Sequence, residues 1–170
     1  NCIPAPYSIY KGIYKLLPGC ILTITPDQPG ITPDPIVYWS MRCVAERGNH
    51  SLFTGSEQEA ISQLDELLKD SVKSKMMSDV PLGAFLSGGI DSSTLVALMQ
   101  AQSSKPIKTF TIGLHESDYN EAQHAKRIAG HLGTDHTELY LNPQDIINVI
   151  PRIPTLYDEP FADSSQIPSY

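Results

Sequence analysis

Hydrophobic positions along the chain follow two different periods, which predict alternating strands and helices. Three short apolar runs, at residues 82–86, 107–114 and 137–141, have the length and composition of buried strands. Apolar residues recur at helical spacing between and beside these runs, within residues 56–76, 91–100, 120–132 and 143–150. Strands and helices in this order predict an α/β fold in which helices sandwich a parallel sheet and the crossovers are right-handed.

The helix predicted from residue 56 has the clearest beginning. Ser56 and Glu59 have the spacing of a capping box, in which each side chain accepts a hydrogen bond from the other residue's backbone. Six apolar residues then predict one buried stripe against the sheet: Ile61, Leu64, Leu67, Leu68, Val72 and Met76.

Two later helices also have recognisable ends. Asp118 or Asn120 is predicted to cap the helix of residues 120–132, which Gly133 would end. Asn142 is predicted to cap the next helix, with Pro143 in its first turn.

The first 55 residues follow neither period for long. Residues 19–25 and 36–39 are predicted as short strands, because they are apolar and β-branched and are separated by prolines and a glycine. Residues 42–55 are polar and irregular, which indicates a linker. Two short strands do not bury a core alone, so this region is predicted to pack on a neighbouring domain; an independent β-hairpin unit is the alternative.

The stretch SGGIDSS, residues 87–93, stands where the first predicted strand turns into a helix. Helix N-termini bind anions there, because unpaired N–H groups and the positive end of the helix dipole point outward together. Gly88 and Gly89 allow close approach of the backbone, and Ser87, Ser92 and Ser93 offer hydroxyl donors.

Asp91 would repel a phosphate unless it held a Mg²⁺ ion, which takes carboxylate and phosphate oxygens together. The stretch therefore predicts a phosphate site with a metal on Asp91. The alternative is an unliganded glycine turn with Asp91, Ser92 or Ser93 as the helix cap.

Neither GxxxxGKS/T nor GxGxxG is present, so the usual mononucleotide and dinucleotide loops are excluded. The stretch instead resembles the PP-loop of the Rossmann-like ATP pyrophosphatases. Its surroundings, residues 70–83, 109–113, 131–134 and 158–160, resemble the glutamine-dependent asparagine synthetases within that group. The resemblance implies nucleotide contacts from the loop and from two strand ends, at Leu86, Ser87, Gly88, Gly89, Ile90, Asp91, Ser92, Ser93 and Ile112.

The resemblance also implies the reaction and the domain organisation. Aspartate would attack ATP to give a β-aspartyl-adenylate and pyrophosphate, and ammonia from glutamine would then displace AMP to give asparagine. Residues 1–43 would be the last strands and linker of the glutaminase domain, and residues 44–170 the first part of the ATP-binding domain. The catalytic residues, including an SGxGxDE segment, are expected outside these 170 residues, so that this chain alone would be inactive.

Composition and charge limit the classes of partner that the chain is expected to bind. The net charge of −7 argues against nucleic acid or an anionic membrane as the main partner, and no apolar run reaches the ~18 residues of a membrane span. No signal peptide is recognised, so a cytoplasmic location is expected. Aspartate and ATP are the expected small-molecule substrates, with the glutaminase domain of the same polypeptide as partner and a homodimer as a possibility. Cys2, Cys20 and Cys43 form no CxxC pair and are predicted to be reduced.

Three features leave alternatives open. Residues 157–165 hold three acids and two serines, which suit either a loop facing a site or a solvated turn with Asp163 or Ser164 capping a last helix. His124 and His131 share a helix face but have no third ligand for a metal. The function itself could be that of another carboxylate-adenylating amidotransferase, similar to β-lactam synthetase, or of a nucleotide-binding module without catalysis.

Overall fold

A computed structural model of the chain describes residues 2–27, 30, 32–114, 121–163 and 165–170. The chain divides into two compact units. One comprises Asn1–Thr54 and Pro151–Tyr170, and the other comprises Gly55–Ile150.

The described elements have the following bounds. The strands are β1 (Cys20–Ile21), β2 (Ile36–Val37), β3 (Gly83–Phe85), β4 (Lys108–Leu114) and β5 (Asp135–Leu141). The helices are α1 (Met41–His50), α2 (Glu57–Lys75), α3 (Ile90–Ala101), α4 (Ala122–Leu132), α5 (Pro143–Val149), α6 (Ile153–Leu156) and α7 (Gln166–Ser169), with a 3₁₀ turn at Ile150–Arg152 before α6.

The unit Gly55–Ile150 is an α/β layer built on a parallel sheet, which confirms the predicted fold class. The strand order is β3-β4-β5, and both neighbouring pairs are parallel. Helix α3 connects β3 to β4, and α4 lies between β4 and β5 in the chain. The predicted strands are each present, although β3 is shorter than residues 82–86 and β5 begins two residues before the predicted 137.

The core of this unit lies where α3 meets the sheet and its neighbouring helices. Leu86, Val96, Ala125 and Ala129 form one buried cluster, and the alanines allow α4 to approach closely. A second cluster joins Val72 at the end of α2 to Met99 and Ile107. Full burial of a side chain such as Val or Leu contributes about 1.5–3 kcal/mol, so these few contacts fix α3 firmly against β3.

Helix α2 begins as predicted but does not bury the predicted stripe. The capping box of Ser56 and Glu59 is present. Of the six stripe residues, only Val72 is buried, and Met76 is half-buried; the remaining four are exposed, namely Ile61, Leu64, Leu67 and Leu68. The prediction of a buried stripe was wrong for these four, because only the last turns of α2 contact the α3 side of the core.

The ends of α4 and α5 agree with the sequence. Gly133 ends α4 in the left-handed conformation, with φ of 69°. Asn142 caps α5 in a second capping box with Asp145. The predicted start of α4 at Asp118 or Asn120 lies outside the described residues, and Glu121 precedes the first helical residue.

The unit Asn1–Thr54 with Pro151–Tyr170 contains a small antiparallel pair of strands. Cys20 in β1 lies opposite Val37 in β2, and both strands are shorter than predicted. Gly19 has φ of 73°, and a Cβ there would lie 2.1 Å from the Trp39 carbonyl oxygen, so that only glycine fits this turn. The domain boundary predicted at residue 43 stays a prediction.

The prediction of an irregular linker over residues 42–55 was wrong, because α1 occupies Met41–His50. The Ser40 side chain accepts a hydrogen bond from the Cys43 N–H and caps this helix. None of its residues is buried, and the segment is polar on average.

In the same unit the C-terminal residues contact the N-terminal ones. Lys15 forms an ion pair with Glu159, and its Nζ also donates to the Ile3 carbonyl at 2.7 Å. Asp163 Oδ1 accepts a hydrogen bond from the Ser165 N–H at 2.7 Å. The N-cap of α7 is Ser165, without a side-chain cap hydrogen bond, so the alternative of a cap at Asp163 is wrong, and Ser164 lies outside the described residues. The three cysteines are free. No helix in the described parts of the chain is both long enough and apolar enough to cross a membrane.

Candidate functional site

The SGGIDSS loop (residues 87–93) lies at the carboxyl edge of the parallel sheet. It follows β3 directly, and its last residues form the first turn of α3. Ligands of parallel α/β sheets bind beyond this edge. Ser87, Gly89, Ile90 and Asp91 are exposed, so the loop is open to solvent rather than sealed by neighbouring side chains.

Leu86 anchors the loop to the core. Its side chain is 1% exposed, and its N–H donates to the Phe110 carbonyl at 2.9 Å. Its carbonyl accepts a hydrogen bond from the hydroxyl of Thr111, which is itself buried. Both backbone groups of Leu86 therefore have a partner within the protein, and a nucleotide contact here would use the second lone pair of the carbonyl.

Thr111 is a site residue that the sequence reasoning missed. The available signal was a polar residue at an inward position of the buried strand at residues 107–114. A buried hydroxyl normally has a hydrogen-bond partner, which for Thr111 is the strand end that starts the loop.

Gly88 gives the loop its shape. Its φ is 84°, in the left-handed region that side chains with a Cβ rarely adopt. A Cβ at this position would lie 2.9 Å from Cβ of His124 and 3.0 Å from the backbone nitrogen of Ala125. The first turn of α4 therefore packs directly on the glycine, and no larger residue fits without movement of backbone.

Gly89 is the N-cap of α3, and no side chain caps the helix. The alternative in which Asp91, Ser92 or Ser93 is itself the helix cap is wrong, because these residues already belong to the first turn. Three N–H groups at the start of a helix have no carbonyl four residues back, and in α3 these belong to Ile90, Asp91 and Ser92. Within the described part of the chain no other group accepts from them.

The three serines hold the loop in this form. Ser87 Oγ lies 2.9 Å from Ser92 Oγ and accepts from the Gly89 N–H at 3.3 Å. Ser93 Oγ donates to the Gly89 carbonyl at 2.6 Å. The predicted hydroxyl donors are thus brought together, but each makes a contact within the loop. Ser92 Oγ also donates to the Gly89 carbonyl at 3.3 Å, so the Ser87 and Ser92 hydroxyls can use both of their protons within the loop.

Ile112 lies on the neighbouring strand at the same edge of the sheet. The register pairs Phe85 with Phe110, so Ile112 stands two residues further toward the carboxyl edge. Its side chain is half-buried. The predicted nucleotide residues therefore fall on one continuous turn and one adjacent strand end.

Asp91 is the acid available to a metal at this loop. It is exposed in the first turn of α3. The described residues contain no group of three or more His, Cys, Asp or Glu side chains that would hold a metal ion by themselves. Mg²⁺ in nucleotide sites usually takes one or two carboxylates and fills its other positions with phosphate oxygens and water, and this donor set fits that pattern.

Comparison with known proteins agrees with this geometry. The family model described as asparagine synthase matches residues 63–170. The chain is 36% identical over 169 residues to "Putative asparagine synthetase (glutamine-hydrolyzing) 2" of Methanocaldococcus jannaschii. It is 31% identical over 168 residues to asparagine synthetase (glutamine-hydrolyzing) 1 of Bacillus subtilis, and 36% identical over 112 residues to the asparagine synthetase (glutamine-hydrolyzing) of Bos taurus.

The alignments cover most of this chain but only a small part of each relative. The aligned segments take in 99% of this chain in the archaeal and Bacillus comparisons and 62% in the bovine one. They span 31%, 25% and 20% of those relatives, respectively. The chain thus corresponds to less than a third of the length of the relatives it matches.

Proposed function

The chain belongs to the asparagine synthase family, and we propose that its SGGIDSS loop binds the triphosphate of ATP in the synthesis of asparagine. The relatives are named asparagine synthetases, which are ligases, and members of the family use ATP. The resemblance read from the loop and its flanks is thereby confirmed at the level of the family. The nucleotide contacts of individual residues are the proposal.

The observation that carries the proposal is the uncapped start of α3. Three backbone N–H groups, of Ile90, Asp91 and Ser92, lie together at the positive end of a 12-residue helix, on the edge of the sheet where ligands bind. Gly88, with its positive φ, keeps side-chain bulk away from the turn. This arrangement suits an anion with several oxygens, such as the β- and γ-phosphates of ATP.

The chemical task of the loop is to stabilise charge on a leaving group. When the aspartate carboxylate attacks the α-phosphorus, the bond to the β-phosphate oxygen breaks, and negative charge builds on the departing pyrophosphate. N–H groups already fixed at the helix start meet that charge without rearranging. Asp91 would hold Mg²⁺, which supplies additional positive charge to the phosphate oxygens when it is bound.

The acceptor of the adenylate step is aspartate in this proposal, by analogy with the names of the relatives. Ammonia released from glutamine would then attack the β-aspartyl carbonyl and displace AMP. The groups that bind aspartate and transfer protons are not assigned to the described residues.

The test is calorimetric titration with Mg·ATP of two proteins, the unaltered chain and the Asp91→Asn variant. The variant removes the metal-binding charge but keeps a side chain of the same size, so we expect unchanged thermal unfolding and loss of measurable Mg·ATP binding. Asp70→Asn, an exposed acid on α2, is the matched control and should bind as the unaltered chain does. Equal affinity in the Asp91→Asn variant would contradict the metal role.

A further inference from the structure

The SGGIDSS loop contains no basic side chain, although the ligand proposed for it is a polyanion. Its charged side chain is Asp91, which is negative, and the chain as a whole carries a net charge of −7. Backbone donors and one Mg²⁺ leave part of the triphosphate charge uncompensated. A cation that compensates the remaining charge would have to lie on a neighbouring element that contacts the loop.

Helix α4 is that neighbouring element. Its first turn packs on Gly88, where a Cβ would come within 2.9 Å of Cβ of His124. Because α4 follows β4 in the chain, its N-terminal turn lies at the same carboxyl edge of the sheet as the loop. His124 is thus in van der Waals contact with the turn that we propose binds phosphate.

Arg127 lies one turn further along α4 and contacts His124. Its Nη2 atom is 3.1 Å from Nδ1 and 3.2 Å from Nε2 of the His124 ring. These two residues, with Ile128 and His131, line an open depression of about 380 Å³ along α4.

Among the described residues, no acid pairs with the Arg127 guanidinium. Lys126 on the same helix pairs with Glu138 at 2.9 Å, and Lys108 pairs with Asp135 at 3.3 Å. No carboxylate within the described ranges lies at ion-pair distance from the Arg127 guanidinium. An exposed arginine that contacts an imidazole and pairs with no described carboxylate has N–H donors available for an anion.

We propose that Arg127, positioned by His124, binds phosphate oxygens of the nucleotide held by the SGGIDSS loop. The inference rests on the proposed function, since it concerns the same ligand. A guanidinium presents paired N–H donors that match two phosphate oxygens, and it is more weakly hydrated than a lysine ammonium. The arginine side chain is long enough to bridge the one helical turn, about 5.4 Å, between its own position and that of His124 beside Gly88.

The experiment measures three ligands by calorimetry: Mg·ATP, magnesium pyrophosphate and adenosine. Arg127→Gln should weaken binding of ATP and pyrophosphate about tenfold, within the range of charge-assisted hydrogen bonds, and should leave adenosine binding unchanged. Arg127→Lys keeps the positive charge but loses the paired N–H donors of the guanidinium. Its affinities for ATP and pyrophosphate should lie between those of the unaltered chain and those of Arg127→Gln. Lys105→Gln removes the same charge from an exposed loop before β4, at the opposite edge of the sheet, and should change each affinity less than about twofold.

The outcomes separate this inference from the function on which it rests. If Asp91→Asn abolishes ATP binding while Arg127→Gln does not weaken it, the inference is wrong and the proposed function stands. An equal loss of adenosine and pyrophosphate binding in Arg127→Gln would show a disturbed fold and would also overturn the inference. If the unaltered chain binds neither ATP nor pyrophosphate, both proposals fail.

Discussion

Helices α2 and α3 belong to the same unit but begin in opposite ways. At the start of α2, Ser56 Oγ accepts from the Glu59 N–H at 3.3 Å, and Glu59 Oε2 accepts from the Ser56 N–H at 2.7 Å. At the start of α3, Gly89 provides no side-chain acceptor. The first helix satisfies its own donors, whereas the second leaves them exposed at the edge of a sheet.

Helix α5 shows that the closed start is not peculiar to α2. Asn142 accepts from the Asp145 N–H at 3.0 Å, and Asp145 accepts from the Asn142 N–H at 2.9 Å. Loss of a capping side chain costs about 1 kcal/mol of helix stability. Helix α3 lacks such a capping side chain. The strand and the two glycines that precede it form a phosphate-binding pattern instead. Helix α4 also begins without a side-chain cap, at Glu121, so the uncapped start of α3 indicates a ligand site through its combination with the preceding strand and the two glycines.

The largest effect on Mg·ATP affinity is expected from Gly88→Val, which should disrupt the open start of α3. A branched side chain is strained at φ of 84°, and its Cβ would lie 2.9 Å from that of His124, so the loop and the first turn of α4 must separate. We expect Mg·ATP affinity to fall about 100-fold, equivalent to about 2.7 kcal/mol. Calorimetric titration measures this loss, and thermal unfolding reports the accompanying change in stability.

Gly130→Val is the matched control for this substitution. Gly130 lies within α4, is exposed, and a Cβ there would meet nothing within 4 Å. Valine is a better helix former than glycine, so stability should be equal or higher and ATP affinity unchanged. Unchanged ATP binding in Gly88→Val would remove the geometric basis of the site.

A smaller effect is expected from Gly89→Asp, which would give α3 the kind of start that α2 has. Gly89 has φ of −72°, which any residue adopts, and a Cβ there would make only an ordinary contact of 3.4 Å with Ser87 Oγ. The new carboxylate would accept from the free N–H groups and would repel phosphate. We expect slightly higher thermal stability and a loss of Mg·ATP affinity of about tenfold.

Gly89→Asn separates the two causes within that prediction. Asparagine caps a helix about as well as aspartate but carries no charge. If occupation of the N–H groups matters, both variants lose affinity, and if only repulsion matters, the asparagine variant binds normally. Higher stability with full ATP affinity in Gly89→Asp would show that these donors are not used by the nucleotide.

Sequence reasoning predicted the strand, turn and helix around residues 87–93 because their signals are local. A short apolar run, two glycines and a serine-rich helix start specify a strand, a turn and a helix within about 20 residues. The capping box of Ser56 and Glu59 and the cap at Asn142 were predicted for the same reason, since each depends on neighbouring residues in the sequence.

Contacts between distant residues could not be read in this way. The contact of His124 with Gly88 and the hydrogen bond from Thr111 to Leu86 depend on how β3, β4 and α4 pack. The helical period at Ile61 and Leu64 correctly reported an apolar face of α2, but a period contains no information about which element covers that face. Helix α1 was missed because its ten residues are polar on average and none of them is buried.

The smallest effect is expected at the closed start of α2, where the Ser56 backbone N–H and then its hydroxyl hydrogen-bond the Glu59 carboxylate and lower the pKa of that carboxyl below 4.5. A depressed pKa means that Glu59 adds stability above its ordinary value, and that this contribution disappears as the pH falls through the folded-state pKa. We expect Glu59→Gln to lower the thermal midpoint slightly between pH 6 and 7. The difference from the unaltered chain should shrink below about pH 4.5 and disappear as the pH falls through the lowered pKa of Glu59.

The comparison of the two proteins across pH isolates this one group, because every other carboxyl titrates in both. Glutamine can still accept from the Ser56 N–H, so the residual difference reports the charge rather than loss of the cap. Mg·ATP affinity should be the same in Glu59→Gln as in the unaltered chain, since the donors at α2 are satisfied internally. A pH-independent difference in the thermal midpoint would contradict the assigned cause. Weakened ATP binding would contradict the distinction between a closed helix start that supports the fold and an open one that meets the ligand.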